Sequence, residues 1–260
     1  MRRLKRNSLL AIFKGLIQTL IHSVPYLCFF SFLLFLVGGS MAYAFQGDLF
    51  TLKKVIIMNH KPLSEIEALS FTGLERNQRI FSIDLKDIER RIKTYHPEYR
   101  EVIVARILPH EIRVFLKKRE PLAYVKFKDF YPIDTEAYVL SAGFEVAELD
   151  LPIIKGVPEP RESLKKGSRL YYIPLGQTIR LLEFLSAKDI LRHHHLTEVN
   201  IANPKNILLI LDDKVEVRMG FRNLTEKLLK LNDAIETIGI DPEKVSYVDL
   251  RFEDIVYGTR

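Results

Sequence analysis

Three consecutive histidines, His193-His194-His195, are the side chains of this 260-residue sequence best suited to holding a metal. Imidazoles converge on one ion when they share a face, as at positions i and i+4 of a helix. Consecutive residues at a helix end point in three directions instead. The sequence after residue 45 supplies no cysteine to complete a site. The ordinary alternative is a solvated helix C-terminus, where imidazoles favour the negative end of the dipole. Asp212-Asp213 offers paired carboxylates, but adjacent strand residues face opposite sides, so a hairpin turn accounts for the pair better. Glycine-rich phosphate loops, a G-x-S-x-G elbow and an H-E-x-x-H helix are all missing. These patterns argue against an enzyme, and they require no cofactor, no metal and no small-molecule substrate.

Net charge of +6 raises the question of nucleic acid, and its distribution answers it. Arg2, Arg3, Lys5, Arg6 and Lys14 lie in the first 45 residues, which hold no acid, while residues 46–260 carry 34 basic and 33 acidic side chains. A phosphate-tracking surface needs a local excess of basic residues, which this balanced remainder lacks. The basicity instead precedes "VPYLCFFSFLLFLVGGSMAYAF", residues 24–45, which contains no charge. At about 1.5 Å per helical residue, such a run reaches across a bilayer core of about 30 Å. With the basic cluster before it and mixed charge after it, the positive-inside rule places residues 1–23 in the cytoplasm and 46–260 outside. Ala42-Tyr43-Ala44 would suit a signal peptidase, but the apolar run is longer than a signal core, so the segment reads as a retained anchor. Cys28, the single cysteine, falls within it, so the outer segment holds itself together without a disulfide.

The outer segment divides into two packed pieces. The first reads strand, helix, helix, strand, strand. "FTLKKVIIM" is extended. "PLSEIEALSF" has Ser64 as N-cap and a stripe at Leu63, Ile66 and Leu69. "IDLKDIERRIKTY" has Asp84 as N-cap and Ile83, Leu85, Ile88 and Ile92 on one face, and His96-Pro97 ends it. "EVIVARIL" and "EIRVFLKKRE" form a hairpin, so a three-stranded sheet under two helices is the economical packing. The second piece is richer in strands, with a hairpin, 207–211 and 215–219, across Asp212-Asp213-Lys214. Two helices interrupt it; the later one takes Thr225 as N-cap, buries Leu228, Leu231, Ile235 and Ile238, and stops at Gly239. The chain is therefore α+β, with one N-terminal transmembrane helix and a β-rich second domain built on an antiparallel sheet.

In order along the chain, "IFSIDLKDIERRI", "VARILPHEIRVFLKKREPLAYV", "YPIDTEAYVL", "LPIIKG" and "YVDLRFED" resemble the FtsQ/DivIB family of bacterial cell-division proteins. The resemblance covers nearly the whole chain. It departs at Met58-Asn59-His60, where the family often has a Gly-Asn turn, and at Ala137, where it usually has glycine. It implies a cytoplasmic tail (1–23), a span (24–45), a POTRA domain (50–122) and an FtsQ-type β domain (123–260). It further implies a non-catalytic scaffold in the inner membrane at the division septum. Partners would be FtsB-like and FtsL-like proteins, with other division proteins meeting the POTRA domain. A membrane-anchored POTRA protein of secretion or outer-membrane assembly is the alternative reading.

Partner binding in the family uses the C-terminal edge of the β domain, by strand addition. The matching positions are Tyr247, Val248, Asp249, Leu250, Arg251 and Phe252. In an added-strand complex, the main chain supplies hydrogen bonds and alternate side chains select the partner. Arg251 and Phe252 each have a plainer reading, as a charge that protects an edge and as a core residue. The resemblance favours partner contact for both.

Overall fold

The computed structural model describes residues 3–46, 48–188, 190–191, 194–203 and 205–260. Its first element, α1, runs unbroken from Arg3 to Gln46. Within α1, His22–Tyr43 is long and apolar enough to cross a membrane, and nothing in the fold covers it. Leu27, Phe30, Leu34 and Phe35 all stand exposed. An apolar surface of this length, bare on every side, suits lipid and no aqueous surroundings.

The chain forms two compact units, Met1–Arg91 with Ile103–Phe115 and Ile92–Val102 with Leu116–Arg260. A three-stranded sheet has the order β1-β3-β2, from strands Lys54–Met58 (β1), Tyr99–Ile107 (β2) and Glu111–Lys118 (β3). β1 and β3 are parallel, in register from Lys54 opposite Glu111 to Met58 opposite Phe115. Two helices accompany it, Glu65–Thr72 (α2) and Leu85–Tyr95 (α3), so the expected three strands and two helices are present. Ser64 caps α2 in a full capping box with Glu67. The expected α2 stripe is rotated, however. The helix is only two turns long and buries Ala68 and Thr72, leaving Ile66 exposed. Asp84 caps α3, accepting from the amides of Lys86 and Asp87.

In the second unit, eight strands follow the order β11-β10-β9-β8-β7-β6-β4-β5. They are Ala123–Lys126 (β4), Phe130–Ile133 (β5), Ile153–Lys155 (β6), Leu196–Asn200 (β7), Ile207–Leu211 (β8), Val215–Gly220 (β9), Val245–Asp249 (β10) and Val256–Thr259 (β11). The sheet contains the expected antiparallel pairs and adds parallel ones, so it is mixed. β6 with β7 and β9 with β10 are parallel, as is β4 with β6. Parallel neighbours need a crossover, which a helix supplies for β6–β7 and for β9–β10, while β5 and the chain after it connect β4 to β6. Ile173–Lys188 (α4) lies between β6 and β7 in sequence, and Leu224–Ile238 (α5) between β9 and β10. Leu175, Ile179, Leu182, Leu228 and Leu231 from these helices join Val199, Leu209, Val217 and Val248 of the sheet in one buried core.

Local geometry settles three smaller expectations. Asp212 and Asp213 both take positive φ, 52° and 58°, and turn the β8–β9 hairpin as expected. α5 begins one residue after Asn223, which is left-handed, and not at Thr225; Gly239 ends it in the left-handed conformation. The side chain of Ile238 lies outside those described. The histidine run does not end a helix, because α4 stops at Lys188. His193 lies outside the described residues. His194 Nδ1 meets Asp212 Oδ2 at 2.6 Å, and the His195 amide donates to Asp212 Oδ1 at 2.8 Å. Asp212 is thereby shared between the turn and the segment entering β7, an arrangement that tightens this corner of the sheet.

Candidate partner-binding edge

The sequence-selected residues 247–252 fall on β10 and the bend that follows it. β10 is not the outer strand. Its Tyr247, Val248 and Asp249 pair in parallel with Glu216, Val217 and Arg218 of β9. On the other side, Tyr247, Val248 and Asp249 face Gly258, Tyr257 and Val256 of β11. The terminal residues thus tuck against β10, and the outer side of β11 becomes the sheet's edge among the described residues.

Each side chain has a distinct task. Val248 and Leu250 are 1% exposed and belong to the core, where they fix the end of the strand. Tyr247 lies under the Arg218 guanidinium, 4.5 Å from ring centroid to Cζ. Its other neighbour is Gly258, where a Cβ would come within 2.2 Å of the tyrosine Cε1. Only glycine lets β11 lie this close to the ring. Asp249 is buried, against the alternation that would turn it outward. Its carboxylate accepts from the Arg251 amide at 3.0 Å, from Arg251 Nε at 2.9 Å and from Nη2 at 2.6 Å. The Arg251 guanidinium beside it holds the Asp249 carboxyl below its ordinary value. Arg251 is therefore neither a free charge nor a simple edge guard; it locks the bend from two residues away. Phe252 follows that bend and is 60% exposed, which decides against the core reading for this ring.

The sequence reading missed β11. Its signal was present as "IVYGT", a β-branched and aromatic run after Glu253-Asp254. Val256 and Tyr257 are both exposed on this strand. Lys230 of α5 donates to the Glu253 carbonyl at 3.1 Å, which ties the connecting bend to the helix. Together, the open edge of β11 and the exposed rings of Phe252 and Tyr257 make a surface suited to an added strand with apolar side chains.

Comparison with known proteins places this geometry in a family. Residues 50–119 match the FtsQ-type POTRA domain, and residues 123–251 match the C-terminal domain of cell division protein FtsQ/DivIB. Cell division protein FtsQ of Syntrophotalea carbinolica is 24% identical over 213 residues, 82% of this chain and 74% of its own. FtsQ of Geobacter sp. strain M21 is 23% identical, over 84% of this chain and 79% of its own. Cell division protein DivIB of Clostridium botulinum is 25% identical, over 85% of this chain and 86% of its own. With both domain types matched in order behind one apolar helix, the chain belongs to the FtsQ/DivIB family of cell-division proteins.

Proposed function

We propose that this protein is a single-pass scaffold of the bacterial division machinery, and that it binds FtsB-like and FtsL-like partners by strand addition at the β11 end of its sheet. Residues 1–23 lie in the cytoplasm, the two domains lie outside the cytoplasmic membrane, and the protein works at the septum. Other division proteins meet the POTRA domain. The observation that carries the reading is the open outer side of β11, flanked by exposed Phe252, Val256 and Tyr257. Tyr247, Val248, Asp249 and Leu250 serve it by position: they seat β11 and fix the bend. Arg251 and Phe252 border the partner directly.

Phe252→Ala is expected to abolish capture of the FtsB-like partner in a pull-down, with the circular dichroism of the full chain unchanged. Undiminished capture would sink the proposal. Crosslinking in cells from positions 252, 256 and 257 identifies the attached chain directly, and depletion of the protein is expected to give undivided cells.

A further inference from the structure

The eight-stranded sheet has a second end, and it is built differently. Beyond β5 the chain adds two irregular rungs: Ile133 bridges Val139, and Tyr138 bridges Arg169 in antiparallel fashion. The Val139 amide donates to the Ser168 carbonyl at 2.8 Å, and the Leu170 amide to the Ala137 carbonyl at 3.0 Å. These bonds use the groups on either side of Arg169, so the main-chain N–H and C=O of Arg169 itself point away from the ladder. Neither has a partner among the described residues, and neither does the N–H of Tyr171 two residues on. Tyr171 is 83% exposed.

Two cavities, of about 560 and 500 Å³, flank the segment 169–172. Val157, Pro158 and Leu164 help line the first, and Ala137, Ile173 and Ile179 the second. Free strand atoms between two partly apolar hollows are what an added strand requires, since its alternate side chains fall to opposite sides. Charge specifies the occupant. The second cavity is bordered by Arg169 and Arg180, which form no ion pair among the described residues. Its one carboxylate, Glu136, already accepts from Arg119 at 2.7 Å. The Arg169 guanidinium spends only its Nε, on the Glu136 carbonyl, and otherwise rests near the Tyr138 and Tyr171 rings. Thr135 also lines this cavity, and its buried Oγ1 has no partner. Two open guanidiniums call for a carboxylate. The first cavity is more evenly charged, with Arg161 between Glu159 and Glu162.

We propose that this far edge is a second docking site, which takes an extended segment of a partner protein as an added strand, with an acidic side chain seated between Arg169 and Arg180. It is independent of the β11 surface and goes beyond the reading given above.

The test pans a phage-displayed library of short linear peptides against the full chain in detergent micelles. The expected result is enrichment of peptides with Asp or Glu alternating with apolar residues. Their binding protects the Arg169 amide from hydrogen exchange. It weakens at least about tenfold in Arg180→Glu, and further in Arg169→Glu with Arg180→Glu. Among the described residues Arg180 pairs with no carboxylate, so the single variant reads binding and not folding. Phe252→Ala leaves this binding unchanged. The proposal is overturned if no sequences are enriched, if the enriched sequences are basic, if Arg180→Glu binds them equally, or if protection maps to 256–259. It also falls if the site proves to be filled by a second copy of the chain, seen as a dimer lost in Arg180→Glu.

Discussion

Arg119 shows how a single side chain sets a stability that its neighbours in sequence do not reveal. Its guanidinium is buried and pairs with Asp134, which is also buried, and with Glu136. Nε donates to the Pro97 carbonyl at 3.0 Å, and the plane covers the Tyr138 ring at 3.8 Å. Removing one member of such a pair strands the other charge in low dielectric. Arg119→Ala is therefore expected to cost about 3–5 kcal/mol in urea unfolding of the full chain in detergent. Asp134→Asn should cost less, because the Oδ1 that accepts from the Glu136 and Tyr138 amides keeps an acceptor counterpart. A loss below about 1 kcal/mol for Arg119→Ala would reduce the pair to the level of a surface contact. The hydrogen bond from Arg119 also holds the Glu136 carboxyl below its ordinary value. A depressed carboxyl contributes stability that is complete above its unfolded pKa, about 4.3, and is lost as pH falls through the folded value. Stability should thus be insensitive to Glu136 from about pH 6 to 8 and decline in acid below about pH 4, with a shallower acid slope in Arg119→Ala. Nothing in the sequence marks Arg119, Asp134 and Glu136 as a set, because pairing across 15 or more positions leaves no local signature.

Elements were legible where their signals are local. Ser64 with Glu67, Asp84, Gly239 and the Asp212-Asp213 turn each act within a few residues, so sequence alone locates them. The identity of the edge strand was not legible. Tyr247 to Phe252 alternate as an edge strand would, yet pairing with β11 moves the edge outward by one strand and leaves Val248 and Leu250 in the core. What seats β11 is the absence of a side chain at Gly258 beneath the Tyr247 ring. Gly258→Val is expected to release the strand. Amide exchange at 256–259 should accelerate, exchange in β8 and β9 should stay slow, and partner capture should fall with it. Adding Tyr247→Ala to Gly258→Val makes room and should restore part of the protection. If the double variant exchanges as fast as the single one, the fit of ring to glycine is not what holds β11. The same element-level logic explains the mixed sheet: α4 and α5 were visible as helices, but only their role as crossovers makes β6–β7 and β9–β10 parallel.

At the scale of the molecule, charge and apolar length do most of the organising. Five basic residues precede the uncharged run, and the remainder is close to neutral. On the proposed topology, replacing Arg2, Arg3, Lys5 and Arg6 with Glu removes the bias that would keep the N-terminus inside. An alkaline phosphatase fusion at the C-terminus, active outside the cytoplasm, is expected to lose most of its activity in that variant. Retained activity would place the topological signal elsewhere. The two ends of the eight-stranded sheet give it two separated open edges, one along β11 and one at Arg169. A scaffold that gathers several partners is served by such an arrangement, because the sites do not compete for one edge.

The sequence by itself determined the apolar run, the balance of charge outside it, the helices with the Ser64 and Asp84 caps, and the α+β class, because each depends on composition or on contacts a few residues apart. Its ordered motifs also carried the family resemblance. The tertiary structure alone decided which strand is outermost, that Phe252 is exposed while Val248 and Leu250 are buried, and that Arg251 is held by Asp249. It alone brought Arg169, Arg180 and Thr135 around one cavity. The physical reason is common to these cases. Strand alternation says that a residue faces one side or the other, but only the pairing of distant segments says what lies on that side.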